Sequence, residues 1–284
     1  MNPIKFCKFH GFGNDYIVVE RNEISKELSL PELARVICHR HTGAGADGIA
    51  VLEKDEGEDA DFICEIVNPD GSVAGFSGNG TRCAAAYLYY KNIWSKHELR
   101  MRMSTGIKTF TLLETLSAGH YWFEAEIGKP KFGSDEIPVA SESRLESIVN
   151  RSIPVGDKWV SISAVNVGNP VVCTFVSDFD LDWRVLGKQL ETHDAFPERA
   201  NIVFVRLIDA VNIELRIWER GAGETSASGT CASGAAVLTA YLGKTERTVS
   251  VHTPGGVTEV YWRDDDEILL TGRADLVNCG EWPA

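Results

Sequence analysis

The stretch Ser77-Gly78-Asn79-Gly80-Thr81-Arg82-Cys83-Ala84-Ala85-Ala86-Tyr87-Leu88 has a pattern that occurs a second time from Ser228. The second copy reads Ser228-Gly229-Thr230-Cys231-Ala232-Ser233-Gly234-Ala235-Ala236-Val237-Leu238. Each copy begins with Ser-Gly and continues into small and apolar residues that predict a helix. The two serines are separated by 228 − 77 = 151 residues. A pattern repeated at this distance indicates a tandem duplication.

Three further landmarks recur in the same order and at nearly the same separation. They are Gly13-Asn14-Asp15 with Gly168-Asn169-Pro170 (168 − 13 = 155), Asp47-Gly48-Ile49 with Asn201-Ile202-Val203 (201 − 47 = 154), and Asn68-Pro69-Asp70-Gly71-Ser72 with Glu219-Arg220-Gly221-Ala222-Gly223 (219 − 68 = 151). Four landmarks at a nearly constant offset predict that the chain consists of two homologous halves.

The order of the elements predicts an α+β fold. Short β-rich stretches in each half are separated by Gly, Asn and Asp turns, and we expect a single helix after each Ser-Gly pair. Many strands with one small-residue helix indicate two pseudo-symmetric domains, each a barrel-like antiparallel or mixed sheet around a central helix. The Pro- and Gly-rich segment 128–133 predicts a boundary between residues 1–127, completed by about 272–284, and residues 128–271.

Composition excludes several classes of protein. A net charge of −13 argues against nucleic-acid binding, which requires clustered Lys and Arg. We expect neither a secretory signal nor a membrane-spanning helix, because no apolar run is long enough. The seven cysteines are odd in number and scattered, which predicts reduced thiols in a cytoplasmic protein, without disulfides or a zinc site. The pair His39 and His41 has no further ligand at metal spacing, so we predict no metal.

The two Ser-Gly turns predict a binding site for an anion. A glycine-rich turn that opens a helix presents backbone N–H groups at the positive end of the helix dipole, which suits a carboxylate. Two such turns on opposite sides of one carbon suit a reaction in which one group removes a proton and the other returns it. We therefore predict an active site for a small molecule in the cleft between the halves, with Ser77 and Ser228 as the catalytic groups.

Each of these motifs also has a purely structural interpretation. A serine before a helix is most often an N-cap, and Glu219-Arg220 also fits a surface ion pair. The segment Gly43-Ala44-Gly45-Ala46-Asp47-Gly48 matches a dinucleotide-binding pattern only superficially, because it leads into a strand-like segment rather than a helix. The recurrence of the serines inside two matching motifs favours the functional interpretation.

The motifs together resemble one known family, diaminopimelate epimerase. The segments that carry the resemblance are 10–15, 45–48, 68–72, 78–83, 168–170 and 219–225, that is HGFGND, GADG, NPDGS, GNGTRC, GNP and ERGAGET. The resemblance extends from about residue 5 to residue 245. It implies two barrel-like domains around central helices, and an enzyme that interconverts LL- and meso-diaminopimelate without PLP or metal.

The resemblance also implies which residues contact the substrate. Side chains that would do so are Asn14, Asn68, Asn169, Asn201, Glu219 and Arg220, and the backbone N–H groups that would hold the reacting carboxylate are those of Gly78, Asn79, Gly229 and Thr230. Arg220 suits the distal carboxylate. A homodimer in the cytoplasm, in the synthesis of lysine and peptidoglycan, is the family's pattern.

The chain departs from the family at the two positions where the catalytic bases are cysteines, because Ser77 and Ser228 stand there. An alcohol is a far weaker base than a thiol unless another group activates it, and the sequence offers no obvious activating base. Val171 also replaces the histidine that the family carries after Gly-Asn-Pro. Deliberate replacement of the cysteines and natural divergence both explain the serines, and the changes at neighbouring positions favour divergence.

Two functions of different class remain. The first is a diaminopimelate epimerase with impaired turnover, and the alternative is an amino-acid-binding homologue that is non-catalytic or has altered specificity. The residues at positions 77 and 228 distinguish the two functions. Cysteine at both positions would indicate the enzyme directly, whereas Ser77 and Ser228 leave both functions open.

Overall fold

The computed structural model describes residues 3–75 and 77–283. It divides into two compact units, Met1–Glu126 with Thr271–Ala284, and Ile127–Leu270. In the first unit the elements are β1 Ile4–Gly11, β2 Asn14–Glu20, a 3-10 turn Arg21–Glu23, α1 Leu30–Ile37, β3 Gly48–Lys54, β4 Phe62–Val67, β5 Val73–Ala74, α2 Gly78–Tyr90, β6 Glu98–Met103, β7 Gly106–Ser117 and β8 His120–Gly128.

The second unit follows the same plan. Its elements are β9 Ile148–Val155, β10 Lys158–Asn166, β11 Pro170–Phe175, α3 Trp183–Glu191, β12 Asn201–Leu207, β13 Asn212–Glu219, β14 Gly223–Thr225, α4 Gly229–Tyr241, β15 Thr248–Thr253 and β16 Gly256–Trp262. The last strand, β17 Ile268–Trp282, begins in this unit and continues into the first.

The strand pairings of the first unit form a closed ring. The strands β1, β2, β3, β4, β6, β7 and β8 pair in that order, and β17 pairs with both β8 and β1. The pairs β2–β3 and β4–β6 are parallel and the other pairs with a described register are antiparallel. The sheet is therefore mixed and barrel-like, as the sequence predicts.

The second unit repeats five of these pairings. The antiparallel pairs β10–β11, β12–β13 and β15–β16 correspond to β1–β2, β3–β4 and β6–β7. The parallel pairs β11–β12 and β13–β15 correspond to β2–β3 and β4–β6. Equal order and equal strand direction in both units confirm the predicted α+β class with two pseudo-symmetric domains.

One helix in each unit is almost completely buried, and its small residues explain how it fits against the sheet. Every residue of α2 from Gly78 to Tyr89 is buried, and the helix packs against β1 to β4. The residues of α4 from Thr230 to Thr239 are likewise buried against β10 to β13. Alanine, glycine, serine and threonine occupy little volume, so a sheet can close tightly around them. These two helices are the ones that the Ser-Gly motifs predict.

Each unit also contains a second helix, which the sequence analysis does not predict. Helix α1 buries Leu30, Leu33, Ala34 and Ile37, a spacing that places four apolar residues on one face. They join the core formed by β1 to β3. Helix α3 packs in the same manner against β9, β12 and β13. Each unit thus has an outer amphipathic helix as well as the inner one.

The prediction that the thiols are reduced is wrong for two of the seven cysteines. Strands β1 and β17 pair with Cys7 directly opposite Cys279, the two Cα atoms are 4.0 Å apart, and a disulfide joins the sulfurs. The sequence does not reveal this pair because the two strands lie 272 residues apart. The other five cysteines are buried free thiols.

Within residues 3–75 and 77–283, no helix has the length and apolar character needed to cross a membrane. The segment 43–47 forms turns and leads directly into β3, so the glycine-rich dinucleotide pattern opens no helix, as predicted.

Candidate active site

In the first unit, Ser77 is the N-cap of α2. Its backbone is extended, its Oγ accepts a hydrogen bond from the Gly80 N–H at 3.1 Å, and its carbonyl accepts from Thr81 N at 2.9 Å. The first N–H groups of an α-helix have no carbonyl within the helix to bind, so Gly78 and Asn79 provide donors at this end. The N-cap interpretation of Ser77 is therefore correct, and the cap places the hydroxyl beside the positive end of the helix dipole.

Tyr16 is the second partner of Ser77 and is not among the site residues predicted from the sequence. The Tyr16 hydroxyl lies 2.9 Å from Ser77 Oγ, and either oxygen can donate. The ring fits because two glycines leave room for it: a Cβ at Gly48 would lie 2.7 Å from the ring, and one at Gly80 2.9 Å. A buried tyrosine needs a polar partner for its hydroxyl, and that need, together with the glycines, is the signal that points to Tyr16.

A chain of hydrogen bonds sets the orientation of Asn79 and Asn14. The buried Arg82 donates to Asn79 Oδ1, Asn79 Nδ2 donates to Asn14 Oδ1 at 3.1 Å, and Asn14 Nδ2 donates to Asp47 at 2.8 Å. Each amide is held with its oxygen toward the preceding donor. Burial lowers the pKa of the Arg82 guanidinium to about 10, so the group remains charged at neutral pH and adds positive charge behind the helix start.

A second carboxylate, that of Asp15, accepts a hydrogen bond from the Asp47 backbone N–H and is held by two cations. Arg40 Nη2 lies 2.7 Å from Asp15 Oδ1, and Lys8 Nζ lies 2.6 Å from Oδ2. Burial raises the pKa of the Asp15 carboxyl, but the hydrogen bonds from Arg40 and Lys8 outweigh burial and hold it below its ordinary value. Asp15 is therefore an anion that anchors the start of β2, where Asn14 lies.

Asn68 lies just after β4 in a separate turn. Its Nδ2 donates to Ser72 Oγ at 2.9 Å, and its carbonyl accepts from Gly71 N at 2.9 Å. The contacts of Asn68 are thus local ones within the predicted NPDGS motif.

In the second unit, Ser228 precedes α4 and is buried. Its Oγ donates to Glu219 Oε2 at 2.9 Å, and Thr225 donates to the other carboxylate oxygen at 2.8 Å. No side-chain bond from Ser228 caps the helix. The expectation that no base stands beside either serine is wrong, because the carboxylate of Glu219 is in direct contact with Ser228. Strand β13 ends at Glu219, and the turn 220–222 returns the chain toward the helix.

Asn201 connects three parts of this unit. Its Oδ1 accepts from the Arg220 backbone N at 3.0 Å, and its Nδ2 donates to the carbonyl of Pro170 at 3.2 Å. The Arg220 guanidinium is exposed and donates to the carbonyl of Glu198 at 3.0 Å. Asn169 lies in the turn before β11, where its carbonyl accepts from Val167 N at 3.2 Å. Asn201 thus connects the turn that carries Arg220 with the start of β11.

The structure brings together some of the predicted site residues within each unit. Ser77, Gly78, Asn79 and Asn14 meet at the start of α2, while Ser228, Gly229, Thr230 and Glu219 meet at the start of α4. Asn68 and Asn169 occupy turns of their own. Each helix start thus combines backbone donors with a hydroxyl that has a side-chain partner. Such a set can bind a carboxylate and exchange a proton close to it.

Solved structures share this fold. A probable proline racemase from Agrobacterium radiobacter K84 has a TM-score of 0.72 at 15% identity and covers 99% of this chain and 93% of its own. A hydroxyproline epimerase from Agrobacterium vitis has a TM-score of 0.71 at 12% identity, with 99% and 91% covered. The chain is therefore a duplicated α+β protein that shares the fold of these two solved structures.

Sequence relatives narrow the class to one family. The family model for diaminopimelate epimerase matches residues 6–132 and 163–277. The diaminopimelate epimerase of Caldanaerobacter subterraneus subsp. tengcongensis is 39% identical over 98% of this chain and 99% of its own, and that of Heliobacterium modesticaldum is 35% identical over 99% and 100%. The chain belongs to the diaminopimelate epimerase family.

Proposed function

We propose that this protein interconverts LL- and meso-diaminopimelate without a cofactor, by removing the α-proton from one face of the carbon and returning a proton to the other. Full-length similarity to diaminopimelate epimerases supports the substrate. The observation that carries the reaction type is the duplicated helix start, because each unit presents a hydroxyl beside the N–H groups of a buried helix.

The chemistry of the helix starts supports a two-sided proton transfer. The reacting carboxylate would bind the backbone N–H groups of Gly78, Asn79, Gly229 and Thr230. These donors would also stabilise the negative charge that develops toward an enediolate as the proton leaves. Ser77 and Ser228 would be the groups on the two faces.

The other predicted residues would hold the distal end of the substrate, which carries a second amino and carboxylate group. Such a zwitterion needs donors and acceptors at fixed positions. The exposed guanidinium of Arg220 suits the distal carboxylate, because a guanidinium binds carboxylates in a bidentate manner. The asparagines proposed for this role are Asn14, Asn68, Asn169 and Asn201.

Serine in place of cysteine lowers the expected rate. A hydroxyl is a much weaker acid than a thiol, so proton transfer through it depends on its partners. The serines also favour the second candidate, an amino-acid-binding homologue that is non-catalytic or prefers another substrate. The two functions differ in one measurable event, exchange of the α-proton.

The test is wash-in of deuterium at the α-carbon of diaminopimelate in D₂O, for this protein and for its Ser77→Cys/Ser228→Cys variant. We expect slow exchange above background for the native protein and faster exchange for the variant. Exchange by the variant alone would support the non-catalytic homologue, with a site still built for diaminopimelate. Absence of exchange and of binding in both proteins would disprove diaminopimelate as the substrate.

We further propose a cytoplasmic homodimer that acts in the synthesis of lysine and peptidoglycan. Family membership supports the compartment, the pathway and the dimer. Sedimentation of the purified protein tests the oligomeric state, and a monomer at micromolar concentration would contradict the dimer.

A further inference from the structure

Glu191, the last residue of α3, carries a buried carboxylate that the proposed function does not use. The residue is only 6% exposed. Its Oε1 accepts the backbone N–H of Gly221 at 2.9 Å, and its Oε2 accepts the indole N–H of Trp218 at 2.9 Å. The exposed Arg199 guanidinium lies 3.5 Å from Oε1. A buried carboxylate is costly unless donors replace its lost hydration, and here both oxygens have such donors.

The segment that Glu191 binds is the short loop between β13 and β14. Glu219 pairs with Gly223 across this hairpin, so residues 220–222 form the loop, and Arg220 is its first residue. Gly221 has φ of 75°, in the left-handed region that glycine adopts without a steric penalty. All three loop residues are exposed, so packing against a core does not hold them in place.

Two side chains from other parts of the chain hold this loop instead. Asn201 Oδ1 accepts the N–H of Arg220 at 3.0 Å, and Glu191 Oε1 accepts the N–H of Gly221 at 2.9 Å. These are the peptide groups before and after the Cα of Arg220. The backbone on both sides of Arg220 is therefore fixed from outside the loop, while its guanidinium remains exposed.

Glu191 also contacts the segment that receives the guanidinium. Arg220 Nη1 donates to the carbonyl of Glu198 at 3.0 Å, and the next residue, Arg199, pairs with Glu191. Arg199 has φ of 59°, an uncommon conformation for a residue with a side chain, and its N–H donates to the carbonyl of Phe196 at 2.8 Å. The Glu191 carboxylate thus connects the loop that carries Arg220 with the turn against which the Arg220 side chain lies.

The first unit holds the corresponding loop with the opposite charge. Residues 68–72 occupy the place of 219–223 at the offset of 151 residues, and Arg35 of the outer helix α1 donates to the carbonyl of Asp70 at 2.9 Å. The loop 68–72 contains no Lys or Arg. The unit whose loop carries Arg220 is therefore the one in which the outer helix supplies a carboxylate that binds a loop N–H.

We propose that Glu191 is a positioning residue, which sets the direction of the Arg220 guanidinium toward the distal carboxylate of the substrate; this role rests on the proposed function. A guanidinium binds a carboxylate through two parallel hydrogen bonds only over a narrow range of orientations. A ligand on an exposed loop keeps such an orientation only if a rigid, buried group supports its backbone. Preference for an amino acid with a second carboxylate thus depends on a residue that does not touch the substrate.

The decisive experiment measures the Kd of diaminopimelate by calorimetric titration for Glu191→Gln in two backgrounds, the native protein and Arg220→Met. Gln has one acceptor oxygen and one NH₂ group, so either Gly221 or Trp218 faces a donor instead of an acceptor. In the native background we expect Kd to rise about tenfold, the scale of one lost hydrogen bond to a charged group. In the Arg220→Met background we expect a change below about twofold, because no guanidinium remains to be misplaced.

The matched control is Glu224→Gln, because Glu224 lies just after the loop but its carboxylate is exposed and pairs with Arg184 at 2.6 Å. Its Kd should equal that of the native protein. An equal loss of affinity for Glu191→Gln in both backgrounds would overturn the proposal, because Glu191 would then support the unit as a whole. An unchanged Kd in the native background would overturn it too. Should Glu191→Gln not fold, Glu191→Asp replaces it in both backgrounds, since Asp keeps the charge but is one methylene too short to reach both donors.

Amide hydrogen exchange tests the contact itself without any ligand. Gly221 is exposed, so its N–H should exchange rapidly unless Glu191 binds it. We expect exchange at Gly221 to be at least about tenfold faster in Glu191→Gln than in the native protein, with no such change in Glu224→Gln. Equal exchange in Glu191→Gln and the native protein would contradict the proposed support of the loop.

Failure of the proposed function gives a different result from failure of this inference. If the native protein does not bind diaminopimelate, the proposed function fails and the role of Glu191 falls with it. If the native protein binds diaminopimelate and Arg220→Met binds it equally well, Arg220 is not a ligand. In that case the proposed substrate stands and the role of Glu191 alone is overturned.

Discussion

Among single residues, Asp15 anchors the start of β2, where Asn14 lies. Its carboxylate bonds Arg40 and Lys8 and accepts the backbone N–H of Asp47 at 3.1 Å. The Asp47 carboxylate in turn accepts from Asn14. A small change in the charge of Asp15 should therefore affect both the stability of the first unit and the position of a proposed substrate ligand.

The pH dependence of this cluster follows from the direction of its pKa shift. The pKa of Asp15 is lowered in the folded protein, so its contribution to stability is present above the ordinary value of 3.8 and is lost as pH falls through the folded value. Asp15→Asn should cost roughly 1–3 kcal/mol at pH 7 and should flatten the dependence of stability on acid. Urea unfolding between pH 7 and pH 2.5 measures both effects.

The control for that experiment is Asp135→Asn, because Asp135 and its partner Arg144 are both exposed. Exposed ion pairs contribute little, so we expect an unfolding curve like that of the native protein at each pH. Equal behaviour of the Asp15 and Asp135 variants would contradict the role given to Asp15.

Whether a contact in the site can be predicted from the sequence depends on how far apart its two residues lie along the chain. The motifs place Ser77 and Ser228 at helix starts, because a cap is a local feature. Tyr16 lies 61 residues from Ser77, and only the pairing of β2 with β3 and the position of α2 bring the two hydroxyls together. Glu219 is only nine residues from Ser228, yet its contact depends on the tight return of the chain after β13. The substrate contacts of the predicted residues remain predictions.

Among the elements, α2 is enclosed closely enough to be sensitive to side-chain volume. Ala84, Ala85 and Ala86 are fully buried between the helix and the surrounding strands. Additional methyl groups would have to displace strands that are hydrogen-bonded on both sides, so the sheet cannot adjust locally.

The prediction for α2 is that Ala85→Leu destabilises the protein by about 1–3 kcal/mol, the usual cost of overpacking a core. Urea unfolding at pH 7 measures the change. Ala140→Leu, at an exposed alanine, serves as the matched substitution and should change stability by less than about 0.5 kcal/mol. Similar effects of the two substitutions would show that α2 is not tightly enclosed.

Helices α1 and α3 were not predicted from the sequence, and both are short. Helix α1 has only eight residues and α3 nine, so each gives few turns of periodic pattern against the many β-rich stretches. The signal for α1 was nonetheless present: apolar residues at 30, 33, 34 and 37, with Pro31 in the first turn. Helices α2 and α4 were predicted because their repeated motif adds evidence that a single helix does not provide.

At the scale of the whole molecule, the closure of the first unit depends on the end of the chain. Strand β17 supplies the eighth strand of the ring and pairs with β1 from Ile4 to His10. The duplication could be predicted from the sequence because it repeats local motifs. The register between β1 and β17 could not be predicted, because no local pattern specifies which residue of β17 lies opposite Cys7.

The disulfide between Cys7 and Cys279 makes that closure redox-dependent. It joins positions 272 residues apart, so it restricts the unfolded chain strongly and, in the native state, holds β17 in the ring. Cys279 is exposed, so a reductant in solution can reach the bond. We expect reduction with dithiothreitol, or Cys279→Ser, to lower the free energy of unfolding by about 2–5 kcal/mol. Urea unfolding with and without reductant measures this.

The neighbouring exposed substitution Asn278→Ser should retain the full effect of reductant, whereas Cys279→Ser should show none. If the native protein is equally stable with and without reductant, β17 is held by its strand pairing alone.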